Sequence, residues 1–138
     1  MEKTLVILKP SAMLRGLAGE VISRFEKKGL IIIGMKMMTL SDEVLREHYA
    51  HLAPVVVMCL KGLEAVDVVR KMTGATRGRH AELGTIRGDL CMSGQQNIVH
   101  ASDSVENAKI EIQRFFKPEE ITDYETPMLK YLYADDEL

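Results

Sequence analysis

The sequence predicts an α+β sandwich: four short strands in a mainly antiparallel sheet, with helices packed on one face. Three observations predict it. Short apolar runs such as Leu5–Leu8 and Val55–Leu60 recur along the chain. Between them lie segments whose apolar residues fall at helical spacing. The resulting order is strand, helix, strand, helix, strand, helix, long loop, strand, helix.

The first run, Thr4-Leu5-Val6-Ile7-Leu8, closes at Lys9-Pro10 and reads as a buried strand ending on a lysine. Leu17, Val21, Ile22 and Phe25 repeat at helical spacing, and Lys27-Lys28-Gly29 is a helix stop, with basic residues in the last turn and glycine after it. Leu30 to Leu40 reads as the second strand, with Met35, Met37 and Met38 as core filler. Ser41 is a candidate N-cap for a short helix through Tyr49. Pro54 precedes the buried strand Val55–Leu60. Glu64 to Met72 is a helix with Ala65, Val68, Val69 and Met72 inward. Residues 73–96 carry five glycines and little periodicity, so they form a long loop with one helical turn at most. Asn97 to Ala101 is the last strand. Asp103 caps a final helix, with Glu106 as its capping-box partner and Val105, Ala108, Ile112, Phe115 and Phe116 as its buried stripe.

Length and composition narrow the function. A chain of 138 residues, 46% hydrophobic and 28% charged, is one folded domain, residues 1–138, and not a disordered chain. A net charge of -2 gives no electrostatic ground for a nucleic-acid partner. No apolar run reaches the roughly 20 residues that span a bilayer, so no membrane partner is expected. The start of the chain lacks the pattern of a signal peptide. Cys59 and Cys91 stand in no metal-ligand spacing and read as reduced thiols, which fits a cytoplasmic setting.

The chemistry emerges by exclusion. No Gly-x-x-x-x-Gly-Lys-Ser/Thr loop, Gly-x-Gly-x-x-Gly fingerprint or Gly-x-Ser-x-Gly elbow is present. His48 and His51 lie near Glu47 without a third ligand, so no metal site is expected. What remains is a histidine among cations. His100 ends the last strand, just before a helix N-terminus, where free N–H groups favour anions. Lys9 ends another strand, Arg70 sits late in a helix, and Arg87 lies in the glycine-rich loop. An unprotonated imidazole attacks phosphorus well when its second nitrogen is held by an acceptor. Glu111, at the edge of the buried stripe, is the candidate acceptor. Nearby cations then neutralise charge on the transferring phosphoryl oxygens.

Four segments carry a resemblance. Asn97-Ile98-Val99-His100-Ala101-Ser102-Asp103-Ser104, Thr4 to Pro10, Gly16 to Gly29 and Gly84-Thr85-Ile86-Arg87-Gly88-Asp89 resemble, in register over nearly the whole chain, the nucleoside diphosphate kinases. The resemblance implies a ferredoxin-like sandwich. It implies transfer of the γ-phosphate of a nucleoside triphosphate onto a diphosphate, through a phosphohistidine, with Mg2+ travelling on the nucleotide. By motif, His100 is the nucleophile and Glu111 orients its ring. Lys9 binds the γ-phosphate and the sugar hydroxyl, and Tyr49 hydrogen-bonds near the transferred phosphoryl. Arg70, Thr76 and Arg87 hold the outer phosphates, Asn97 the ribose, and Ser102 supports Glu111. Low base selectivity follows, because phosphates and ribose are common to all nucleotides. A homo-oligomer built on a dimer is also implied, with a tetramer or hexamer left open.

The departures from the family pattern matter as much. Between His48–Leu52 and Pro54–Val57 the family has a loop and short helix of about fifteen further residues, in a region where loops carry ligand contacts. That segment supplies the phenylalanine that stacks on the base. Losing one such stack costs about 1–3 kcal/mol, so weaker nucleotide binding with intact phosphate chemistry is expected. Ser11, Ala101 and Gln96 stand where the family has Asp, Gly and Arg, and the loop Thr76 to Gly84 lacks the family's prolines. Two readings remain open on sequence: an active, trimmed kinase, or a degenerate relative kept as a nucleotide-binding or protein-interaction module.

Overall fold

The computed structural model describes residues 1–39 and 54–138. Strand β1 (Glu2–Leu8) leads through helix α1 (Pro10–Leu14) and helix α2 (Ala18–Lys28) to β2 (Ile31–Met38). Strand β3 (Val55–Gly62) is followed by α3 (Ala65–Thr73), a 3-10 turn at Gly78–His80, and α4 (Ile86–Leu90). Then come β4 (Val99–Ala101), α5 (Val105–Phe115), and a tail containing α6 (Leu129–Leu132). The sheet order is β2-β3-β1-β4, and every pairing is antiparallel. This is the ferredoxin-like α+β arrangement. Among the described residues no helix is long and apolar enough to cross a membrane.

The alternation of side chains along each strand divides the core in two. Val6, Leu8, Val56, Met58 and Leu60 pack with Val21 and Phe25 of α2, Ala65 and Val69 of α3 and Ile86 of α4. Leu5, Ile33, Val55, Val57 and Cys59 pack on the other face with Ile112, Phe115 and Phe116 from α5 and its end, and with Ile121 and Leu129 of the tail. Helices therefore cover both faces, not the single face expected. The reason was present in β3, where all eight residues are buried. A run without alternation has no solvent side.

Other expectations change too. Met35 and Met37 are 51% and 63% exposed, not core filler; they stand on edge strand β2, paired with Met58 and Val56 of β3. The long loop holds more helix than one turn. The last strand is shorter than expected at its start: Val99 donates its N–H to the Asn97 carbonyl at 2.8 Å, with Ile98 between them at φ 62. That is a γ-turn of the rare positive-φ kind, on a fully buried β-branched residue. The cap of α5 is Ser104, whose hydroxyl accepts from the Asn107 N–H at 3.1 Å. Asp103 instead accepts from the Asn107 side chain at 2.6 Å. Helix α2 ends as expected, at Gly29 with φ 109. Ala101 is not among the positive-φ residues, so its methyl is accommodated without backbone strain.

Candidate active site

Four chain segments converge on one cleft. Lys9 follows β1, α3 runs into the loop after Thr73, α4 carries Arg87, and β4 carries His100. Lys9, Arg70, Thr76, Arg87, Asn97 and His100 all line a cleft of about 390 Å3, so six of the residues expected from sequence meet there. Tyr49, with His48, His51 and the helix expected over Ser41–Tyr49, lies outside the described residues.

The histidine half of the cleft is simple. His100 sits on β4 opposite Ile7 of β1, and α5 brings Glu111 beside it. The Nε2 of His100 and Oε1 of Glu111 are 2.7 Å apart. The His100 side chain is 43% exposed and that of Glu111 16%, so the carboxylate is shielded while the ring faces the cleft. Nε2 is thereby committed. Nδ1 has no hydrogen-bond partner among the described residues. An acceptor on Nε2 places the proton there and leaves the Nδ1 lone pair for chemistry.

The cation half is more crowded. Arg87 reaches from α4 and donates to three backbone carbonyls: Gly74 at 2.9 Å, Asn97 at 3.2 Å and Val99 at 2.6 Å. Those carbonyls belong to the end of α3, the γ-turn and β4, so one guanidinium ties the three walls together. Gly74, at φ 83, lies against the Thr85 side chain, where a Cβ would clash. Burial pushes the Arg87 guanidinium below its usual range, and the nearby charge of Arg70 acts the same way. Two of its five N–H donors remain for an anion.

Asn97 is buried and nearly saturated. Its amide donates to the carbonyls of Thr76 at 3.0 Å and Gly94 at 3.1 Å, and its Oδ1 accepts from Lys9 Nζ at 2.7 Å. Only one Oδ1 lone pair is left for a ligand hydroxyl. The Lys9 ammonium keeps two protons free. Its pKa is lowered from 10.5, first by burial and then by Arg87. A cation held at such a disadvantage gains from an arriving anion. Arg70 and Thr76 are exposed at the rim, and their side chains make no hydrogen bond within the described residues.

Ser102 departs from expectation. Its hydroxyl lies 3.4 Å from both the N–H and the carbonyl of Leu5, not against Glu111. It is fully buried just beyond the Val6–Ala101 pair, where its own N–H also donates to the Leu5 carbonyl, so it extends the β1–β4 ladder. Sequence reasoning also missed Asp103, which lines the cleft beside Arg70. Its hydrogen bond from the Asn107 side chain holds its carboxyl below the usual range. In sequence it carries only the signal of a helix cap, which does not point to the cleft.

A sequence profile described as nucleoside diphosphate kinase matches residues 2–121. A nucleoside diphosphate kinase of Parabacteroides distasonis is 57% identical, with 99% of each chain covered. That alignment spans 152 positions against 138 residues here, so at least 14 positions carry no residue of this chain. The nucleoside diphosphate kinase of Halobacterium salinarum, solved with CDP, superposes with a TM-score of 0.88 at 34% identity, covering 96% of this chain and 98% of that one. A transition-state mimic of the Borrelia burgdorferi enzyme, with vanadate and ADP, gives 0.85 at 32% identity, with 96% and 98% covered.

Proposed function

The chain belongs to the nucleoside diphosphate kinase family of phosphotransferases, and on that premise we propose that it works in two half-reactions through phosphorylated His100. The observation that carries this reading is the 2.7 Å contact between His100 Nε2 and Glu111, which commits one ring nitrogen and leaves Nδ1 free.

In the first half-reaction the Nδ1 lone pair attacks the γ-phosphorus of a nucleoside triphosphate. The N–P bond forms, the bond from phosphorus to the bridging oxygen breaks, and the diphosphate leaves with that electron pair. The Nε2 proton stays hydrogen-bonded to Glu111, whose charge stabilises the ring as it becomes electron-poor. The second half-reaction reverses these steps with another diphosphate. Lys9, Arg70 and the free N–H groups of Arg87 bind the phosphate oxygens, with Thr76 at the rim. The remaining lone pair of Asn97 accepts a ribose hydroxyl. Tyr49 is assigned beside the transferred phosphoryl on the strength of its motif alone.

Mg2+ is read as arriving on the nucleotide, as the family resemblance implies. There it would neutralise charge on the phosphate oxygens. The whole chain is read as one domain, since both core clusters share a single sheet. The exposed Met35 and Met37 on edge strand β2 support a homo-oligomer.

The shortened segment after Leu52 sets the affinity. With one base stack missing, the Kd for nucleotide rises about 5- to 150-fold, while base selectivity stays low. Titration with a non-hydrolysable triphosphate checks this against the Parabacteroides enzyme, and equal affinity would contradict it.

Incubation with terminally labelled ATP and Mg2+ tests the reaction. Acid-labile, base-stable label is expected on the protein, absent in His100→Ala and discharged by unlabelled GDP. No label at saturating ATP would replace this reading with that of a degenerate nucleotide-binding module.

A further inference from the structure

We propose that Arg24 and Arg15 are positioning residues for Arg87, acting through the short helix α4 that carries it; the inference rests on the reading of Arg87 as a phosphate ligand. Helix α4 is five residues long, far below the length at which a helix sustains itself. Something outside it must fix its place. Its beginning is partly self-made: Thr85 accepts from the Gly88 N–H at 3.0 Å and donates to the Glu82 carbonyl at 2.6 Å.

The rest of the hold comes from the α1–α2 segment, about sixty to seventy-five residues away in sequence. Arg24 Nη1 lies 2.8 Å from Asp89 Oδ2 and 3.5 Å from each of the Gly84 and Thr85 carbonyls. The other oxygen of Asp89 accepts from the Gly84 N–H at 2.8 Å, which binds the entry loop to the helix. Arg24 Nε is itself oriented by Glu20 at 3.1 Å. At the opposite end, Arg15 Nη1 donates to the Leu90 carbonyl at 2.6 Å, one of the carbonyls a helix terminus leaves unpaired. The helix is clamped at both ends.

Arg15, Arg24 and Asp89 do not line the cleft, whereas Arg87 of the same helix does. A shift of α4 moves Arg87 relative to all three carbonyls it bridges. Misplacing a binding group by about 1 Å is enough to change rates 10²-fold. Arg24 and Arg15 therefore reach the phosphates only through Arg87, a dependence that a double-mutant cycle detects.

The experiment is steady-state kinetics on Arg24→Ala, Arg24→Lys, Arg87→Ala and the double variant Arg24→Ala/Arg87→Ala. Arg24→Ala is expected to raise KM for the diphosphate about 10-fold with kcat changed less than about threefold. Arg24→Lys falls between, since one ammonium replaces the ion pair but not the forked contacts to the two carbonyls. In the Arg87→Ala background, Arg24→Ala adds less than about twofold. An unchanged KM in Arg24→Ala, or its full effect multiplying onto that of Arg87→Ala, overturns the proposal. If Arg87→Ala alone leaves KM unchanged, the phosphate role of Arg87 fails and this inference falls with it; a sensitive Arg87 beside an indifferent Arg24 overturns the inference alone. Should Arg24→Ala not fold, Asp89→Asn in the same cycle gives the same readout, because it removes the ion pair and keeps the side-chain shape.

Discussion

The two halves of the cleft are built by opposite means. The histidine half uses one residue on a strand, one on a helix and a single 2.7 Å contact between them. The cation half uses turns: a γ-turn at Ile98, a helix end at Gly74 and a five-residue helix, joined by one guanidinium on three carbonyls. The difference teaches where function and stability are separable. Among the described residues Glu111 makes its one side-chain hydrogen bond to the ring, whereas Arg87 both faces the cleft and braces three carbonyls.

Substitutions should expose that contrast. Glu111→Gln keeps the shape but loses the charge facing Nε2, so kcat falls about 10²-fold while KM stays nearly constant. Unfolding by urea should show the variant as stable as the parent. Arg87→Ala should do the reverse in both measurements. It strips three carbonyls of their donor, and stability falls by about 2–4 kcal/mol, while KM rises. Equal stability losses in the two variants would erase the distinction.

Lys9 sharpens the comparison through pH. Its folded pKa is lowered from 10.5 by burial and by Arg87. The folded state therefore carries a penalty for this cation below the lowered value, relieved as pH rises through it. Binding behaves oppositely, since phosphate needs the cation. The alkaline fall of kcat/KM should begin below pH 10.5, and Lys9→Arg should move it upward. An identical alkaline limb in both proteins would remove Lys9 from phosphate binding.

The smallest effect concerns acid. Asp89 is held below its usual range by the Gly84 N–H and Arg24, and Asp123 chiefly by Lys61. Stability from such carboxylates is complete above about pH 4 and is lost as pH falls through their lowered values. Melting temperature measured from pH 6 to pH 3 should drop, and Asp89→Asn should flatten the slope.

How legible each half was in sequence follows the same division. The strands, the Gly29 stop and the His100–Glu111 pairing are carried by periodicity, cap chemistry and the spacing of a helix beside a strand. The second covered face could have been read from the unbroken apolar run Val55–Leu60. The γ-turn could not, because nothing local favours positive φ at isoleucine; the tertiary ties of its neighbours impose it. Ser102 differs from its expectation for a related reason. Its neighbours in sequence line the cleft, but its hydroxyl faces Leu5 across the ladder. The arginine clamps were illegible too, since Arg15 and Arg24 sit on an unremarkable helical stretch and act at a distance.

The most direct measurement of the central claim is the isomer of phosphohistidine formed on His100. After brief phosphorylation by ATP, phosphorus NMR of the protein, with mass spectrometry of an alkaline digest, distinguishes phosphate on Nδ1 from phosphate on Nε2. With Nε2 committed to Glu111, the account predicts Nδ1-phosphohistidine alone. Phosphate on Nε2 would mean that the Glu111 contact is broken in the reacting enzyme, and would contradict the account.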